Sequence, residues 1–230
     1  VSSPGPDVPA AYPPEPWHLG GSMLMTLWRV DGSDLRREVD RYVPADVDLV
    51  ARGRHGLLFT AFVRYEPGSV LSYDELLVAA VGRRGVVPFA TIPHIWVDSP
   101  ASVAGGRALW GIPKGLAEFE QSWGEDGAGR RRITATATRD GATLAGVRAR
   151  EGAPLPGWRR VPMPTAQTLD GRTTFAEVQA LARVRLARAE WSFPPDSPLA
   201  FVGRGRPLFS SVLRDMTIRF GPSRSTGGDA

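Results

Sequence analysis

The stretch Gly105-Gly106-Arg107-Ala108-Leu109-Trp110-Gly111-Ile112-Pro113-Lys114-Gly115-Leu116-Ala117 contains the single lysine of a 230-residue chain whose lysines and arginines together number 28. Arginine can replace lysine in solvated ion pairs but not in amine chemistry, because a guanidinium does not deprotonate in proteins whereas an ε-amine can. Lys114 is therefore a candidate for chemistry, against the plain alternative that one lysine survived by chance. Trp110, Ile112, Pro113 and Leu116 make its neighbourhood apolar, which disfavours the ammonium form and predicts a lowered amine pKa. An ordinary lysine titrates near about 10.4 and would have to titrate roughly 4 lower to be a ready nucleophile at neutral pH. Burial and a nearby cation can supply that.

Outward from this stretch, apolar segments with strand character recur at residues 23–30, 57–65, 76–81, 86–97, 133–138, 199–202 and 216–220, punctuated by glycine and proline. They predict a mainly β chain. A short helix is expected over 34–42, with Leu35, Val39 and Tyr42 on one face and Ser33 as its cap. A second begins at Ser99-Pro100, a capping serine before proline at the first helical position, and ends at Gly105-Gly106 or shortly after. Residues 175–191 are ambiguous: alanine, leucine and arginine favour helix by propensity, and the pattern fits neither period. Prolines at 4, 6, 9, 13, 14 and 16 make 1–16 an extended arm. Residues 17–220 form one domain without linker or repeat, and 221–230 read as a disordered tail.

Composition removes several function classes. With 42% apolar and 23% charged residues the chain can bury a core unaided. The absence of cysteine excludes disulfides, zinc–thiolate sites and thiol nucleophiles. The net charge of +4 is spread among 24 acidic residues, with only Arg130-Arg131-Arg132 as a tight run, so no nucleic-acid partner is expected. No apolar run approaches the roughly 18 residues of a membrane span and the start lacks a signal-peptide pattern, which predicts a cytoplasmic protein with no membrane partner. His18, His55 and His94 lack ligand spacing, so no metal is expected. Neither Gly20-Gly21 nor the Gly203–Gly205 pair opens a helix after a strand, so no nucleotide cofactor is expected. Ser210-Ser211 lacks the frame of a serine hydrolase.

Gly-Gly-Arg followed by Pro113-Lys114 resembles the Schiff-base lysine segment of the acetoacetate decarboxylase superfamily. The resemblance extends over residues 17 to 220 through Trp28-Arg29, Val43-Pro44, Ser72-Tyr73-Asp74-Glu75, the run from Ile133 to Thr138, and Glu190-Trp191. It implies a mainly β (α+β) fold, an antiparallel β-barrel or cone with a few short peripheral helices and Lys114 projecting inward. It also implies a homo-oligomer, a small carbonyl compound as substrate, and no cofactor. Lys114 and Glu75 are the implied catalytic pair, lysine as nucleophile and glutamate as proton carrier. Arg107, Tyr73 and Trp110 are the implied substrate contacts. Arg107 has the structural alternative of bonding helix-end carbonyls, and Tyr73 that of plugging the barrel with its ring.

The chain departs from the decarboxylase pattern at three places. The second lysine, which in the decarboxylases follows the first and lowers its pKa, is Gly115. The first-strand arginine falls at Gly21 or Ser22, and the glutamate of the next long strand falls at Thr60. The remaining set suits proton shuttling around an imine better than decarboxylation. The expectation is thus a Schiff-base lyase of the aldolase–dehydratase type acting on a 2-oxo acid or related carbonyl compound. A β-keto acid decarboxylase and a binding barrel without turnover are the alternatives.

Overall fold

The long apolar runs become strands because both of their faces are buried. A computed structural model describes residues 10–52 and 54–226. Its elements begin with β1 (Trp17–Asp31), α1 (Gly32–Val39), β2 (Asp48–Leu49), β3 (Ala51–Arg52), β4 (His55–Tyr65), β5 (Tyr73–Arg84) and β6 (Val87–Val97). They continue with α2 (Pro100–Trp110), β7 (Lys114–Leu116), β8 (Glu118–Glu125), β9 (Arg131–Arg139), β10 (Ala142–Pro162), β11 (Thr165–Leu169), β12 (Arg172–Ser192), α3 (Ala200–Gly203) and β13 (Arg206–Ser225).

One sheet runs in the order β11-β6-β5-β4-β1-β13-β12-β10-β9-β8, and β11 also pairs with β12. The sheet therefore closes into a ring, from which β10, β9 and β8 extend. Pairing is antiparallel except where β6 meets β11, at Thr165 and Ala90, and where it meets β7. Successive side chains on a strand point to opposite faces. Leu19, Met23, Ala61, Val63 and Leu77 thus build one core, while Leu24, Trp28, Leu58, Phe62 and Leu76 from the same strands build a second. Two cores on one layer of strands account for apolar runs that do not alternate.

Several expectations meet a different outcome. The 175–191 segment, ambiguous by sequence, lies within β12, whose inward positions Val178, Ala180, Ala182 and Val184 alternate with polar or exposed neighbours. The run at 199–202 is a short helix, α3, because Ser197 holds a turn there: its hydroxyl donates to the Leu144 carbonyl at 2.6 Å and accepts from the Leu199 amide at 3.0 Å. Helix α1 stops at Val39 and continues to Tyr42 as a 3₁₀ turn, and its cap is Asp31 rather than Ser33. Strand β13 runs on to Ser225, paired with β12, where a disordered tail was expected from Gly221. Residues 227–230, and 1–9 of the expected arm, lie outside the described residues. The rest of the arm is anchored: the Glu15 carboxylate accepts from Trp110 Nε1 at 2.8 Å and from the amide and hydroxyl of Ser223 at 3.0 and 2.9 Å. No helix among the described residues is long and apolar enough to cross a membrane.

Candidate active site

Lys114 reaches the interior because of how α2 begins and ends. Ser99 caps the helix, its hydroxyl accepting from the Ser102 amide at 3.2 Å. Gly111 ends it in the left-handed conformation at φ 65°, returning its amide to the carbonyls of Arg107 and Gly106. The chain then reverses through Ile112-Pro113 into β7, where Lys114 pairs with Ile95. The two glycines of α2 are cut to fit. A Cβ on Gly105 would lie 2.4 Å from the Trp17 ring, and one on Gly106 would lie 2.7 Å from Lys114 Cδ. The lysine stem thus runs through a groove that only glycine leaves open.

Tyr73 and Glu75 stand two residues apart on β5 and so share its inner face. Lys114 Nζ donates to Glu75 Oε2 at 2.9 Å, to Ser102 Oγ at 3.0 Å and to the Tyr73 hydroxyl at 3.3 Å. All three N–H bonds of an ammonium are thereby used. Lys114 is 4% exposed, Glu75 3% and Ser102 0%. Burial works against the charge on Lys114, yet the Glu75 carboxylate, with Tyr73, outweighs it and holds the amine above its ordinary pKa. This corrects the expectation of a lowered value: the apolar segment desolvates the amine, and the Glu75 carboxylate more than offsets that. Burial raises the Tyr73 phenol to about 12. Tyr65, beside Glu75, is also pushed well above the ordinary value by burial and by that carboxylate.

The pocket around this cluster is apolar, with Met23, Phe59, Ile92, Ile112 and Val178 among its walls and a volume of about 50 Å³. Trp110 forms part of the wall, packed edge-on against Trp17 with centroids 4.8 Å apart. Lys114, Glu75, Tyr73 and Trp110 are therefore brought together. Arg107 is not: its exposed guanidinium donates from Nε to the Lys114 carbonyl at 2.8 Å, fixing the main chain from outside. Ser102 and Tyr65 were missed. The N-terminal turn of α2 places Ser102 three residues after its capping serine, and Tyr65 pairs with Tyr73 across β4 and β5. Neither position carries a motif that marks it for chemistry.

The three departures from the decarboxylase pattern also acquire a geometry. Gly115 follows Lys114 on a strand and points to the other face, where a Cβ would meet Trp96 at 3.2 Å. A side chain there is directed away from the amine. Of the two positions for the first-strand arginine, a Cβ at Gly21 would collide with the Arg64 carbonyl, while Ser22 accepts from Arg131 at 2.6 Å; Thr60 accepts from Trp28 Nε1 at 2.9 Å, and Ser22 and Thr60 lie on the face opposite the pocket. The pocket-facing neighbours of these two residues are Met23 and Phe59. Among the described residues no group of three or more metal-ligating side chains is assembled.

The acetoacetate decarboxylase family model matches residues 2–192 of the chain. No curated protein sequence matches it. Among solved structures, an acetoacetate decarboxylase from Legionella pneumophila is similar at 18% identity with a TM-score of 0.74, covering 98% of this chain and 93% of that one. The enduracididine biosynthesis enzyme MppR complexed with pyruvate has 18% identity and a TM-score of 0.69, over 95% and 93% of the two chains. An acetoacetate decarboxylase-like enzyme from Sphingomonas wittichii has 14% identity and a TM-score of 0.65, over 92% of each.

Proposed function

Because the chain belongs to the acetoacetate decarboxylase family, we propose that it is an enzyme whose Lys114 forms an imine with a small carbonyl compound, with Glu75 as the proton carrier. The observation that supports this reading is the buried contact of 2.9 Å between Lys114 Nζ and Glu75 Oε2 at the wall of an apolar pocket. At rest the amine is protonated and unreactive. Entry of a carbonyl compound excludes water and lets the ammonium pass one proton to Glu75, which leaves two neutral groups in an apolar site. The amine then adds to the carbonyl carbon. One proton of the adding nitrogen moves to the oxygen, Glu75 returns its own proton to the same oxygen, water leaves, and the resulting iminium is paired with the Glu75 carboxylate.

The same carboxylate then lies next to the acidified α-carbon. Removing a proton there gives an enamine, the nucleophile of an aldol addition, and the re-protonated glutamic acid can assist loss of water afterwards. Aldol and dehydration chemistry follows from this pair without further charged groups. The pyruvate complex of MppR makes 2-oxo acids one class of carbonyl compound to test here, beside neutral aldehydes and ketones. Ser102 and Tyr73 hold Nζ toward Glu75 through the addition.

The test is oxygen exchange. Each cycle of imine formation and hydrolysis replaces the ketone oxygen with one from water. Acetone in ¹⁸O-water should gain label faster with the wild type than with Lys114→Arg, which keeps a cation and loses the nucleophile. Equal exchange by the two proteins would remove the catalytic reading and leave a binding pocket.

A further inference from the structure

The charges lining the Lys114 pocket balance before any ligand enters. Among the described residues lining it, Lys114 and Glu75 are the charged ones, and they cancel. Beside the cluster the pocket is lined by Thr165, 3% exposed, whose Oγ1 has no hydrogen-bond partner. Arg107 is bound to the main chain outside and Arg131 to Ser22 on the opposite face of β1.

We infer that the carbonyl compound taken by this site is uncharged, a small apolar aldehyde or ketone rather than a 2-oxo or β-keto carboxylate. The inference rests on the imine reading above and narrows its substrate class. Condensing a neutral ketone with the Lys114 ammonium releases water and yields an iminium, so the single positive charge stays at the same atom and remains matched by Glu75. A carboxylate on the ligand would add a negative charge that no cation in the pocket offsets, in surroundings that solvate it poorly. The spare Thr165 hydroxyl can serve one neutral polar group of a ligand but cannot balance a charge. The pocket is small, about 50 Å³, which favours compact ligands over extended ones.

The experiment compares pyruvate with 3-methyl-2-butanone, which has the same branched heavy-atom skeleton without the charge, and includes acetone as the smallest ketone. Each is incubated with the intact protein and cyanoborohydride, and the mass gained at Lys114 is followed in time. Rates are divided by those of the same compounds with butylamine, which removes intrinsic electrophilicity. The neutral ketones should exceed pyruvate by about 10²-fold or more on this scale. A normalised pyruvate rate equal to or above theirs overturns the inference while leaving the imine reading standing. If none of the three adds mass at Lys114, the imine reading fails and this inference falls with it.

Discussion

Adding one methyl group at Gly106 separates the reactivity of Lys114 from the stability of the fold. In Gly106→Ala the new Cβ would lie 2.7, 3.0 and 3.2 Å from Cδ, Cε and Cγ of Lys114. Carbon–carbon contacts settle at about 3.5–4.0 Å, so the lysine stem must move by about 1 Å. Its tip is tied to Glu75, Ser102 and Tyr73, so the shift breaks or lengthens those bonds. Misplacing a reacting group by about 1 Å costs on the order of 10²-fold in rate. For stability two terms oppose each other: alanine gains about 1 kcal/mol over glycine inside a helix, and overpacking costs about 1–3 kcal/mol. The net loss should be about 0–2 kcal/mol. Gly105→Ala is the control, since its Cβ would strike the Trp17 ring at 2.4 Å and not the lysine. By the same two terms it should lose about 0–2 kcal/mol and keep its reactivity. Urea unfolding and reductive trapping with acetone read the two quantities separately. A Gly106→Ala protein that traps acetone at the wild-type rate would refute the groove as the device that aims Lys114.

Glu75→Gln removes the charge that holds the Lys114 amine above its ordinary pKa and leaves burial to push it down. The rise of trapping with pH should therefore begin at lower pH than in the wild type, while α-proton exchange of the ligand falls by about 10²-fold; trapping rates and deuterium uptake across a pH series check both. His94, stacked on Trp96 with no partner for Nε2, has its pKa lowered by burial from 6.5 to about 4. The unfolded chain binds the proton first as pH falls, so stability is full above pH 6.5 and declines toward pH 4, by about 3 kcal/mol in all. His94→Leu should flatten that slope in denaturation curves taken at several pH values. Glu151, whose side chain is fully buried, accepts from the Arg131 amide at 2.9 Å and Arg214 Nε at 2.7 Å, and pairs with Arg185 at 3.3 Å. Glu151→Ala takes the carboxylate from Arg185 and leaves Arg214 with Glu125 alone, and should cost about 3 kcal/mol by urea unfolding, with Lys114 trapping unchanged in the folded protein.

The centre of the site was legible because chemistry left a mark in composition. A lone lysine among arginines, in a segment like that of a known family, indicated Lys114, and the same resemblance supplied Glu75 and Tyr73, which lay just outside the strand expected at 76–81. Ser102 was not legible, since a serine in the first turn of a helix is ordinary and only the closure of β7 against α2 aims it at the amine. Arg107 takes its structural alternative, a bond to a main-chain carbonyl, because motif membership does not say which way a side chain points. The Lys114 pKa misled for a related reason: sequence neighbours reveal desolvation, whereas the opposing charge comes from β5, some forty positions earlier. Segment 175–191 hid its strand because small alanines on the inner face leave little hydropathy contrast with the arginines between them, so propensity spoke for helix and pairing with β10 and β13 decided for sheet. The Leu199–Val202 run was too short for its period to distinguish helix from strand.

The most direct measurement is the site of a reduced adduct. The protein is incubated with acetone and borohydride, digested, and its peptides are mapped by mass. The account predicts one isopropyl group on the peptide containing Lys114, absent from Lys114→Arg and formed faster in the native protein than in urea. Modification only at the chain's α-amine, or at Lys114 no faster in the folded than in the unfolded protein, would contradict it.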